Sequence, residues 1–130
     1  ITNSEGVQIN GTLAADVNVV GTFTFTANGS SNYIFTGTGY PGTWTDNNIM
    51  YLHLGLTYKF INATGSSHPL EFTDNTGNNP NNGYNDGWIT GSKTGVQYMT
   101  IPYNMGGNYI MNYRCTLHPS NMGGQIKIVS

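Results

Sequence analysis

Apolar and polar residues alternate with a period of two along most of the chain. Leu13, Ala15, Val17 and Val19 interleave with Ala14, Asp16 and Asn18, which predicts a half-buried strand. Phe23 and Phe25 continue the pattern, as do Tyr33 and Phe35. "NNIMYLHLG" and "LTYKFIN" predict two more strands, broken at Gly55. "PLEF" is a short strand after Pro69, "GVQYMTI" precedes Pro102, "NYIMNYRC" runs into Cys115, and "GQIKIV" closes the series. No segment shows a convincing helical period.

Turn clusters separate these runs: "TANGSSN", "GTGYPGTWTDNN", "NATGSSH" and "DNTGNNPNNGYNDG". Many short strands joined by Gly, Pro and Asn turns predict an all-β sandwich or barrel. The stretch from Asp74 to Asp86 is the longest irregular segment, and it holds only those two carboxylates. A calcium loop needs more acidic ligands at tight spacing, so it reads as a solvated loop. "NMGG" occurs twice, at residues 104–107 and 121–124, too short to be a structural repeat.

Composition narrows the picture. At 130 residues the chain makes one domain, with N-terminal strands over residues 1–48 and a core over 49–130. Charged residues are 8 % and the net charge is -2, so neither nucleic acid nor an anionic membrane is an expected partner. No apolar run reaches the length of a membrane span, and no signal-peptide pattern is present. The start at Ile1 suggests a processed form or a piece of something longer. Few lysines and a surface rich in Asn, Gly and Thr suggest a secreted or periplasmic protein, or one on a virion surface. Asn10, Asn28 and Asn62 fit the glycosylation pattern, which Asn/Thr-rich turns produce readily.

The chemistry concentrates in "YRCTLHPSNMGG", which gathers the single cysteine, Cys115, with His118 and Met122. Thiolate and thioether are soft ligands and imidazole is borderline; two His, one Cys and a long axial Met form the ligand set of an electron-transfer copper site. The second histidine must come from elsewhere. His53 lies inside an apolar strand, where a structural role is the commoner one, whereas His68 follows a strand in a turn and can reach across the end of a sandwich. Met105 lies ten residues of strand before Cys115, on the order of 30 Å away. Met122 sits in the loop that turns back into "GQIKIV", where Gly123 and Gly124 would help make the turn. Zinc accepts Cys and His, but methionine is a poor zinc ligand. No carboxylate pair, Ser/His/Asp arrangement or second metal cluster suggests an enzyme.

"YRCTLHPSNMGGQIKIV" resembles the C-terminal ligand loop of the cupredoxins, the blue copper proteins. The pattern Tyr113-x-Cys115-Thr116-x-His118-Pro119 is especially similar to amicyanin, and Met122-x-Gly124 also to plastocyanin. Phe60-x-Asn62 followed by His68 matches the strand and turn that lead to the family's first histidine. The resemblance implies a Greek-key sandwich with extra N-terminal strands, one copper ion on His68, Cys115, His118 and Met122, and one-electron exchange with a redox partner protein. It also implies docking where His118 meets the surface, among Leu117, Pro119 and Leu70. A looser resemblance, carried by "SSNYIFTGTG", "HPLEF" and "YNDG", is to cupredoxin-like domains in virion proteins of marine cyanobacterial phages. That implies a structural or adhesive domain among other virion proteins, with the metal a stabiliser or absent.

Two features depart from the family. The spacing from His118 to Met122 is one residue longer than in amicyanin and one shorter than in plastocyanin. Pro69 stands where many cupredoxins place a backbone N–H on the cysteine sulfur, and proline has none to give. A thiolate without that bond donates more strongly to Cu(II), which implies a lower reduction potential.

Overall fold

Three inward positions of one alternating run, Met111, Tyr113 and Cys115, carry the apolar core up to its edge, and all three are fully buried. The computed structural model describes residues 16–37, 43–44, 49–73, 89–103 and 109–129. Ten strands are assigned among them: β1 (Val19–Asn28), β2 (Asn32–Gly37), β3 (Thr43–Trp44), β4 (Met50–His53), β5 (Thr57–Asn62), β6 (Leu70–Thr73), β7 (Ile89–Gly91), β8 (Val96–Thr100), β9 (Ile110–Cys115) and β10 (Gly123–Val129). A 3-10 turn at Gly65–Ser67 joins β5 to β6.

The strands form two sheets, of order β4-β10-β9-β6 and β3-β2-β1-β5-β8-β7. Each is mixed: β10 runs parallel to β4 and β1 parallel to β5, while the other pairs are antiparallel. This is an all-β two-sheet sandwich. Aromatic rings fill the space between the sheets, Phe25 on β1 meeting Tyr113 on β9 edge-on at 6.0 Å and Phe60 on β5 meeting Phe72 on β6 at 5.0 Å. Each such ring contributes about 1.5–3 kcal/mol by burial alone.

The first expected strand is where local pattern and structure part. Leu13 and Ala15 lie outside the described residues, residues 16–18 turn, and pairing begins only at Val19. The Asp16 carboxylate explains the turn: it accepts the Tyr98 hydroxyl at 2.7 Å and lies 3.3 Å from Lys59 Nζ. Lys59 and Tyr98 are cross-strand partners, so Asp16 folds back onto the β5–β8 face and leaves Val17 exposed. β3 and β7, of two and three residues, were too short to produce alternation. The break at Gly55 is present as a turn with φ +80° whose N–H donates to Ile101 at 2.7 Å. The Asp74–Asp86 loop, Met105 and Asn10 fall outside the described residues.

Candidate metal centre

β9 ends at Cys115 with the side chain on its inward face, and β6 begins opposite it, Cys115 pairing with Leu70. That pairing brings His68, two residues before Leu70, to the same end of the sandwich. The loop after Cys115 then closes on itself. The N–H groups of Asn121 and Met122 donate to the His118 carbonyl at 3.2 and 3.0 Å, and the Cys115 N–H donates to the Met122 carbonyl at 2.8 Å.

The thiol of Cys115 therefore faces two imidazoles. Its Sγ lies 3.7 Å from His68 Nδ1 and 3.6 Å from His118 Nδ1, and the two rings are 5.1 Å apart at 47°. These three are the one group of metal-binding type among the described residues. A first-row ion with its thiolate at about 2.3 Å and its imidazoles at about 2.0–2.1 Å separates sulfur from nitrogen by about 3.5–3.8 Å. The spacing thus fits a metal ion held in common, and one thiolate with two imidazoles suits copper.

His53 does not join the group: it ends β4 with an exposed side chain, and its N–H donates to the Tyr58 hydroxyl at 2.9 Å. Met122 is fully buried in the closed loop. Gly123 has no left-handed backbone, so it does not make the turn as expected. Its need is for space, since a Cβ there would stand 2.7 Å from the Tyr113 carbonyl and 3.3 Å from Arg114 Cβ. A missing side chain lets β10 start close against β9 and return Met122 towards Cys115.

The first-histidine segment is held carbonyl by carbonyl. The His68 carbonyl accepts from the Asn62 side-chain amide at 2.8 Å and the Tyr33 hydroxyl at 3.0 Å, and it lies 3.2 Å from the Thr64 hydroxyl, whose proton goes to the Asn62 side-chain oxygen at 2.6 Å. The Pro69 carbonyl accepts from Thr116 N–H at 3.1 Å and lies 3.2 Å from the Tyr33 hydroxyl; Gln97 holds the Leu70 carbonyl at 3.0 Å. Asn62, with a buried and fully engaged side chain, is no glycan acceptor in this fold. Glu71 bridges Lys93 at 2.9 Å and Arg114 at 2.7 Å, and Arg114 directly precedes Cys115.

At the surface, Leu117 is 60 % exposed, Pro119 is exposed and His118 is half-buried. Leu70 does not belong to this patch. It is fully buried, because alternation in β6 turns it into the core with Phe72. Tyr33 and Glu71 were not legible as site residues, since nothing local marks a strand tyrosine or a lone glutamate as a neighbour of a residue far along the chain.

No family model matches the chain, and no curated protein matches it. Among solved structures, it is similar to the reduced Cu(I) form at pH 4 of a proline-to-glycine mutant of amicyanin, at 17 % identity over 65 % of this chain and 71 % of that one (TM-score 0.38). A second is the Cu(I) structure of a methionine-to-glutamine mutant of amicyanin, at 14 % identity over 89 % and 90 % of the two chains (TM-score 0.40). A third is the reduced state of a proline-to-phenylalanine mutant of amicyanin, at 19 % identity over 62 % and 68 % (TM-score 0.37).

Proposed function

We propose that this chain is a cupredoxin-type copper protein that carries one electron, in which His68, Cys115, His118 and the Met122 thioether would hold one copper ion. The observation that carries the reading is the approach of Cys115 Sγ to both histidine Nδ1 atoms at 3.6–3.7 Å in the mouth of a β-sandwich. Copper bound there supplies a Cu(II)/Cu(I) couple, and rigid donors limit the rearrangement between its two states. The chain's own part is to fix those donors. The hydrogen-bonded carbonyls of residues 68–70 hold one histidine, and the closed loop holds the cysteine and the other.

His118 lies beside exposed Leu117 and Pro119, which makes its ring the natural exit for the electron towards a redox partner protein. We read the protein as a carrier rather than an enzyme, acting outside the cytoplasm.

The test is to add Cu(II) to reduced, metal-free protein and record the visible spectrum, with Cys115→Ser as control. The expected result is an intense thiolate-to-copper charge-transfer band that the control lacks. A colourless protein that remains folded would overturn the reading in favour of a structural domain.

A further inference from the structure

The ladder between β6 and β9 ends at the pair Leu70 and Cys115, which leaves His68 two residues beyond its last rung. β6 is also an edge strand of its sheet among the described residues. What holds its first residue on the outer side comes from the opposite sheet. Leu70 donates its N–H to the Lys93 carbonyl at 2.8 Å, and its own carbonyl accepts from the buried Gln97 side-chain amide at 3.0 Å. In an antiparallel ladder alternate residues turn both groups away from the partner strand. Here the groups turned away are stitched to the β7–β8 hairpin.

That hairpin is braced within itself. The Ser92 N–H donates to the Val96 carbonyl at 2.9 Å, the Gly95 N–H to the Ser92 carbonyl at 3.1 Å, and the Thr94 N–H to Ser92 Oγ at 3.3 Å. Gly91, at φ +105°, has no room for a side chain against the Val96 carbonyl. At the tip, Lys93 grips three neighbours. Its carbonyl takes the Leu70 N–H and a second bond from the Asn62 side-chain amide at 2.9 Å, while its ammonium donates to Glu71 Oε2 at 2.9 Å. The other oxygen of Glu71 accepts from Arg114 Nε at 2.7 Å, one residue before Cys115. Backbone and side chain of one residue thus hold two consecutive residues of β6, and through Glu71 they reach the strand that carries the cysteine.

We infer that Lys93 is a positioning residue of the metal centre, fixing from the opposite sheet how the His68 end of β6 stands relative to Cys115. This rests on the copper reading above. Glu71 is buried, whereas the Lys93 side chain is 39 % exposed, so removing the ammonium leaves the carboxylate one cation short without opening the core. The first residues of β6 then open more often, and the spacing of the donors is held less tightly.

The experiment compares wild type with Lys93→Gln and Lys93→Arg by two measurements. On metal-free protein, NMR follows amide hydrogen exchange at Leu70, with Ile128 towards the far end of β10 as reference. On copper-loaded protein, absorbance and electron paramagnetic resonance follow the thiolate-to-copper band and the copper hyperfine coupling. Lys93→Gln is expected to speed exchange at Leu70 by about tenfold or more while Ile128 stays as in wild type, and to displace the band and the coupling. Lys93→Arg, which keeps the cation, returns both towards wild type. Unchanged spectra overturn the inference and leave the copper reading standing, whether Leu70 stays protected or all amides exchange faster together. Spectra that change while Leu70 stays protected also overturn it, because the effect then bypasses the Lys93 carbonyl. A wild type with no band overturns the copper reading and the role that rests on it.

Discussion

The side-chain amide of Asn62 donates to the backbone carbonyl of His68 at 2.8 Å and to that of Lys93 at 2.9 Å, while its oxygen accepts from the N–H and hydroxyl of Thr64. One buried side chain therefore ties the end of β5, the turn before the first histidine and the β7–β8 connection into one unit. Asn62→Ala leaves several of these groups short of a partner and is expected to cost about 2–4 kcal/mol. Urea denaturation of the metal-free protein measures this. The same variant should bind copper more weakly, because His68 is no longer held.

Glu71 makes stability depend on pH. Burial pushes its carboxyl up, but the hydrogen bonds and charges of Lys93 and Arg114 outweigh that and hold it below its ordinary value. A carboxyl depressed in the folded state contributes stability in full above its unfolded pKa, about 4.3, and loses it as pH falls through the folded value. Metal-free protein should therefore lose stability progressively below about pH 4.3. Glu71→Gln should be less stable by about 1.5–3 kcal/mol at pH 7 and show a flatter acid limb. Thermal melts of both proteins from pH 7 to pH 3 measure it; identical slopes would count against the bridge.

Pro69→Ala supplies a backbone N–H at the position where proline has none. If that N–H reaches the sulfur, the potential rises by roughly 40 mV, the equivalent of about 1 kcal/mol for one electron. Voltammetry of the copper-loaded protein reads it. No rise would count against the reading that the missing N–H of Pro69 lowers the potential.

The two upstream histidines should separate cleanly. His68→Ala is expected to abolish the charge-transfer band, whereas His53→Gln should leave both band and copper affinity unchanged, since His53 faces solvent at the end of β4. A copper titration followed by absorbance tells them apart.

Gly123→Ala tests the close approach of β10 to β9. The added methyl meets the Tyr113 carbonyl, so either strand must shift, with an expected loss of about 1–3 kcal/mol. Denaturant melts quantify the loss, and the copper spectrum should change with it.

Much of the sandwich was legible because each long strand carries its own alternation. The runs ending at Asn62, Cys115 and Val129 have inward residues every second position. The cluster of His68, Cys115 and His118 was legible because two members share a short loop and the third had few rivals. What local pattern does not carry is long-range placement. Asp16 turns because Lys59 and Tyr98 hold it, β3 and β7 exist by pairing rather than pattern, and Leu70 is buried because its pairing with inward-facing Cys115 turns it into the core. Tyr33 belongs to the same class, since only the pairing of distant strands brings its hydroxyl to residues 68 and 69.

The parallel pairing of β4 with β10 also has a temporal side. His68 and Cys115 are 47 residues apart, and β10 completes the sheet that carries Cys115. As a ribosome releases the chain, the first imidazole emerges well before the thiol, and no early piece holds the assembled donors. Such non-local pairings place folding in the slow range, about milliseconds to seconds. An ion that binds only the finished arrangement must then arrive after the last strand docks, and it acts as a latch on a completed fold rather than a seed for one.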